Sequence, residues 1–246
     1  MSYLTIEWLK LKKAASLGIG IIFILFSSII GLAIYFGAAY NMYQPNELFM
    51  ALWLQLSFYY SQLFFLIMIS IIVYLALSEE FARKNLAFLR ANNFSMPKLI
   101  LAKAINVFFI TILLQLIFYA VFFGAVKFAN ISYQVKEIQQ VFQWLLNFAV
   151  ASMTLIFTQL FITLKTKSLS KSIGIATLGM ISGFILLFIN KNLTNFFPYS
   201  QVQIAMHARS GAPFTIRESL RFFMGNSWYI FLFYWLSCRE LRKEAN

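Results

Sequence analysis

Glu79 and Glu80 stand side by side, with Arg83 and Lys84 four residues beyond each of them. Two adjacent carboxylates can act as an acid and base pair or hold a metal ion, but both tasks need further groups. The chain has one histidine, His207, one cysteine, Cys238, and eight acids that are all glutamate. That inventory leaves no catalytic constellation and no metal site. The chemistry left to the group is ion pairing: Glu79–Arg83 and Glu80–Lys84 are i,i+4 pairs with the acid first, the favourable order on a helix. Ser78 suits the N-cap, and the glutamates suit the positive end of the dipole. Phe81, Phe88 and Leu89 supply an apolar side, and Asn92, Asn93 and Pro97 end the helix. The spacing therefore predicts a short amphipathic helix over about 78–91.

Six long apolar runs surround this segment: about 17–40, 51–77, 100–126, 138–164, 173–189 and 222–238. Crossing a bilayer core takes about 20 helical residues, and lipid leaves an exposed backbone no other partner. The fold class expected is all-α, a polytopic membrane protein of six transmembrane helices forming a single domain over 1–246. Hydrophobic residues make up 61% of the chain and charged residues 11%, against about 25% charged in soluble proteins. The net charge of +12 is spread over the span ends, so it is no nucleic-acid footprint. With the N-terminus inside, 14 of the 20 Lys and Arg residues fall on the cytoplasmic side, which places both termini in the cytoplasm. His207 then lies in the external connection, as a surface residue.

Before the first run, residues 2–15 form a second amphipathic stretch. Leu4, Trp8, Leu11 and Ala15 fall on one helical stripe, with Glu7, Lys10 and Lys13 away from it. This predicts an interfacial helix with Trp8 at headgroup level and Glu7, Lys10, Lys12 and Lys13 facing water. Gly179 and Gly183 in the fifth run, and Ser27 and Gly31 in the first, are small-xxx-small pairs that let helices approach closely, within the chain or between two protomers. The runs hold no Asp, Glu or His, which disfavours ion-coupled transport. Their neutral polar residues, among them Gln62, Gln115, Thr154 and Gln159, predict hydrogen bonds between helices.

Glu7–Trp8–Leu9–Lys10–Leu11–Lys12–Lys13 before the first span, the Glu79/Glu80 helix followed by Phe94–Ser95–Met96–Pro97–Lys98 and Lys103, and six spans with a long connection before the last together resemble a permease subunit of the ABC type-2 exporters. The likeness is greatest to permeases of lantibiotic or bacteriocin immunity and peptide-toxin export. It implies an N-terminal connecting helix and a coupling helix carrying Glu79, Glu80, Phe81, Arg83, Lys84 and Phe88 that docks on a cytosolic ATPase subunit. It also implies a second permease protomer, as homodimer or heterodimer, and short re-entrant helices within about 192–221. The chain has no G-x-x-x-x-G-K-[ST] loop, so ATP and Mg belong to the partner, and no cofactor is expected in the chain itself.

The function expected is ATP-driven export of amphipathic peptides across the bacterial cell membrane, the chain itself being no enzyme. The alternative is a non-transporting immunity or sensor protein that holds a peptide at the outer surface. An intramembrane metalloprotease of the CAAX-processing type is excluded: its Glu-Glu-x-x-x-Arg spacing is one short at Arg83, and one histidine cannot complete the metal site.

Overall fold

The computed structural model describes residues 2–81, 94–189 and 191–243, and every regular element among them is helical. Helix α1 (Tyr3–Lys10) starts at Ser2, whose hydroxyl accepts from the Thr5 amide at 3.3 Å. It stops at Leu11, which is extended, and α2 (Lys13–Ile34) begins two residues later. The stretch expected as one interfacial helix over 2–15 is thus two helices with a corner between them, and Ala15 belongs to α2.

The chain then crosses back and forth. Helix α2 runs on into a wide π turn at Tyr35–Ala39. Helix α3 (Leu48–Phe81) carries a second π turn, Tyr59–Phe64, in its middle. Helices α4 (Met96–Phe128), α5 (Val135–Thr166) and α6 (Leu169–Ile189) follow. Their ends have local causes. Pro97 occupies the first turn of α4. Gln134 and Glu137 form a reciprocal capping box on α5, with the Gln134 amide donating to the Glu137 carboxylate at 2.7 Å. Lys167 closes α5 in the left-handed region at φ 50°.

Helices α2 to α6 are long and apolar enough to cross a membrane. Six spans were expected, and among the described residues five helices meet that measure. The last, α9 (Ile216–Lys243), is a continuous helix of 28 residues, about 42 Å long at 1.5 Å per residue. Asn226, Ser227, Trp228 and Tyr229 dilute its middle, so its length suffices and its composition does not. Two short helices, α7 (Lys191–Thr194) and α8 (Gln201–Ala205), lie between α6 and α9.

Helices α3 and α5 form the centre, with 61% of the most apolar stretch of each buried, against 28% for α2 and 22% for α6. Helix α9 packs along α5, and α1 packs on α4. Trp53 anchors the core, with its ring 5.6 Å from Trp144 and 5.0 Å from Phe122, while Tyr60 stacks on Phe118 at 4.5 Å. Gly31 lets α2 and α3 touch: a Cβ there would sit 3.1 Å from the Leu56 backbone.

Many short hydroxyls inside the helices bond within their own helix: Thr111 donates to the Val107 carbonyl, Thr158 to that of Thr154, and Ser27 to that of Ile24. Thr154 instead donates across to the Asn226 side chain of α9 at 2.7 Å. Longer side chains reach across, as Gln62 does to the Met180 carbonyl at 3.3 Å. The expectation of bonds between helices therefore holds for Gln62, Thr154 and Gln159 but not for Thr111.

Candidate functional site

Glu7 lies in α1, Glu80 one residue before the end of α3, and Lys103 two turns into α4. The three helix ends meet at one end of the bundle and bring these side chains together out of solvent, at 4%, 1% and 3% exposure. Lys103 Nζ lies 2.5 Å from one Glu7 oxygen and 2.8 Å from one Glu80 oxygen. It also donates to the Ala76 carbonyl at 2.6 Å, which adds a hydrogen bond to the two ion pairs. Lys10 Nζ closes the ring from the half-exposed side, 2.9 Å from Glu7 and 3.3 Å from Glu80. Two carboxylates and two ammoniums alternate and sum to zero charge.

The electrostatics follow from this geometry. Burial pushes the Lys10 ammonium toward losing its proton, but the Glu7 and Glu80 carboxylates outweigh it and hold the pKa above its ordinary value. Removing one member of a buried pair leaves a charge without a counterpart, which costs about 3–5 kcal/mol. Further bonds hold α1 against α4: the Asn106 amide donates to the Leu4 carbonyl at 3.1 Å, and the Ser95 N–H donates to the Tyr3 hydroxyl at 2.9 Å. Tyr234 of α9 donates to the Pro97 carbonyl at 3.5 Å.

This arrangement revises the placement expected for the charged residues. Glu7 was expected to face water, yet it is the buried residue of α1, while Leu4 stays 38% exposed. The polar face of α1 turns into the protein because Lys103 waits there. Glu80 was expected on an exposed coupling helix; it is buried and points inward to Lys103 and Lys10, while its expected pair with Lys84 lies outside the described residues. Its neighbour Glu79 is half exposed and lies 3.4 Å from Lys12. Phe81 ends α3, partly buried, with its ring 6.3 Å from Tyr74. Lys13 sits over the Trp8 ring at 5.1 Å. Arg83, Lys84 and Phe88, and most of the expected 78–91 helix, lie outside the described residues. Lys103 had no pairing role in the sequence, since Glu7, Glu80 and Lys103 are far apart along the chain.

At the opposite end, residues 191–215 fold back into the bundle. Trp53 donates its indole N–H to the Met206 carbonyl at 2.8 Å, and Gln159 donates to the Tyr199 hydroxyl at 3.1 Å. Gly179 and Gly183 serve this segment. A Cβ on Gly179 would lie 2.7 Å from the Tyr199 ring, and one on Gly183 3.0 Å from the Ser200 hydroxyl. Both glycines are therefore filled from within the protomer and offer no face to a second copy.

His207, expected at the surface, is 6% exposed. Its ring stacks on Trp144 at 4.7 Å and lies 4.1 Å from Phe214, with the backbone in the left-handed region at φ 50°. Burial pushes its pKa down to about 4. Nothing in the sequence around His207 signals this, because its partners come from α5 and from the following loop.

No curated protein and no solved structure matches the chain. One family does, and its profile covers α1, the ion-pair cluster and most of α6, well over half of the residues. The chain belongs to the family described as ABC-2 family transporter protein, matched over residues 3–183.

Proposed function

We propose that this chain is the permease subunit of an ATP-driven exporter in the bacterial cell membrane, moving amphipathic peptides for antimicrobial-peptide immunity or toxin secretion. The chain spans the membrane six times, with α9 as the last crossing and both termini in the cytoplasm. A separate cytosolic ATPase drives it, and a second permease protomer completes the pathway. The apolar outer faces of α2 and α6, with Phe26 56% and Phe188 72% exposed, meet lipid or that second protomer.

The observation that supports coupling is the ion-pair ring of Glu7, Lys10, Glu80 and Lys103. The chain between residues 81 and 94 joins the helix bearing Glu80 directly to the helix bearing Lys103, and that connection carries Arg83, Lys84 and Phe88. A docked ATPase that moves this connection pulls on two corners of the ring. The ring passes the displacement to α1 through Glu7, and so to α2. A charge ring suits this task because its geometry resists small slips, while each ammonium can change carboxylates without leaving all partners at once.

The test is purification of the full chain in mild detergent from its host, with mass spectrometry of what accompanies it, followed by peptide-stimulated ATP hydrolysis after reconstitution. The expected result is a stoichiometric ATPase retained by the unaltered chain and lost on Glu79→Lys with Arg83→Glu. Absence of any ATPase, under conditions that preserve other membrane complexes, would sink the exporter reading.

A further inference from the structure

Gln201 and Gln203 lie two residues apart in α8, both buried, and they are treated in opposite ways. Gln201 is fully used: its amide donates to the Asn195 and Phe197 carbonyls at 3.0 and 3.1 Å, and its oxygen accepts from Asn226 at 2.9 Å. Gln203 is 3% exposed, and neither its nitrogen nor its oxygen has a partner among the described residues. Nε2 of His207 is in the same condition. Buried polar atoms are almost always paired, so three bare ones in one place call for an outside partner.

Gln203 and His207 both line one pocket of about 190 Å³ between α8 and the start of α9. Its wall also holds Arg209, Arg221 and Phe214. The backbone of Ser210 and Ala212 lies beside the His207 ring, and the neutral tautomer protonated on Nδ1 leaves Nε2 as an acceptor. The imidazole stacks on Trp144 and packs against Phe214, contacts that restrain the direction of the acceptor. The acid at the rim, Glu218, accepts from the Thr215 amide and hydroxyl at 2.9 and 2.8 Å. The pocket thus offers a planar donor–acceptor pair, one further acceptor, two guanidiniums and an aromatic wall.

We infer that this pocket binds the C-terminal end of a peptide. Gln203 pairs with one extended residue of the peptide, whose own N–H and C=O point to the same side as they do along a strand edge. His207 Nε2 accepts a second N–H, Arg209 and Arg221 hold the terminal carboxylate, and Phe214 covers an apolar terminal side chain. Inorganic phosphate fits less well, because it brings no apolar group for the Phe214 wall. This inference rests on the peptide-export reading and names which end of the peptide is held at the outer side.

The test is calorimetric titration of the full chain in phosphatidylglycerol nanodiscs with acetyl-Phe-Phe bearing a free carboxylate. Its C-terminal amide, inorganic phosphate and glycerophosphoethanolamine are the comparisons. The acid is expected to bind, the amide to bind at least about ten-fold more weakly, and phosphate not to compete. Gln203→Leu and the double change Arg209→Ala with Arg221→Ala should each weaken the acid by at least about ten-fold. Both arginines are exposed, so the double variant folds and reports even where Gln203→Leu does not.

Four results overturn the inference: no binding of the acid, equal binding of acid and amide, unchanged affinity in the arginine variant, or displacement by glycerophosphoethanolamine at equal affinity. The last assigns the pocket to a lipid headgroup. The titration needs no ATP and no partner, so its failure leaves the permease reading standing, and loss of the ATPase leaves this site standing.

Discussion

The two ends of the bundle handle buried polarity in contrary ways. At the α1 end, four charges drawn from α1, α3 and α4 are matched one against another as ion pairs, with Lys103 between the two carboxylates. At the α8 end, Gln203 and His207 sit equally deep with polar atoms that no described residue answers. A closed set of pairs resists disturbance and transmits force between the elements that share it. An open set is poised to take something from outside. The contrast assigns mechanics to one end and recognition to the other, and each variant below either widens or erases it.

The largest effect is expected at Lys103. Lys103→Met leaves Glu7 and Glu80 facing each other out of water, and stability in detergent should fall by about 3–5 kcal/mol, read by thermal or denaturant unfolding. Exchanging the charges, Glu80→Lys with Lys103→Glu, should recover a large part of that loss. A double variant no better than the singles means that position, rather than pairing, holds these residues, and the ring then has no claim to transmit force.

His207 gives the next effect, and it depends on pH. Its pKa is about 4 in the folded chain, against an ordinary value of 6.5, so the unfolded chain binds the proton more tightly. The folded state therefore has its full stability above about pH 6.5 and loses it as the pH falls toward 4. The loss approaches roughly 3 kcal/mol at pH 4, at about 1.4 kcal/mol per pKa unit. His207→Asn tolerates the left-handed backbone and removes the titration. Its unfolding curve, compared with that of the parent between pH 7 and pH 4.5, should be flatter. Parallel curves would mean that His207 meets water in the folded protein, and the open pocket would lose its driest member.

Gly179 comes third. Gly179→Val drives a side chain into the Tyr199 ring, which lies 2.7 Å from the first added atom. Overpacking of this kind costs about 1–3 kcal/mol. The loss should be relieved by Tyr199→Ala, which empties the space. The same pair of variants separates internal packing from protomer contact: the single change should leave oligomeric mass in detergent unaltered.

How much of this was legible beforehand depended on how local the cause was. The apolar runs marked α2 to α6, because a span is a property of contiguous residues. The last run was read as a span like the others, yet Asn226, Ser227, Trp228 and Tyr229 leave α9 short of the apolar composition that marks a crossing. Gly179 and Gly183 announced that something comes close, but not that Tyr199 does. The i,i+4 rule assigned Glu80 to Lys84, four residues on. The fold assigns it to Lys103 and Lys10, which no local pattern connects. His207 was placed at the surface because it sits in a connection, and a connection that folds back into the bundle defeats that rule. Charges and loops were misplaced for one reason: their partners are chosen by the packing of helices, and the packing is not written at any one position.

The smallest effect on stability falls on Glu79, and it sharpens the contrast most. Its pair with Lys12 is half exposed on both sides, so Glu79→Ala or Lys12→Ala should change stability by under about 1 kcal/mol, less at high salt. Glu80, next in sequence, is sealed in the ring. On the proposed reading, a docking role at Glu79 and a structural role at Glu80 are separated by one residue. If the ATPase reads the exposed acid, Glu79→Lys should abolish peptide-stimulated hydrolysis while the melting curve stays in place. Glu80→Gln should lower the melting curve first, with hydrolysis lost only as the fold is. Identical behaviour of the two variants in both assays would merge the docking surface with the ring, and the connection between residues 81 and 94 would then act on the bundle without a separate point of grip.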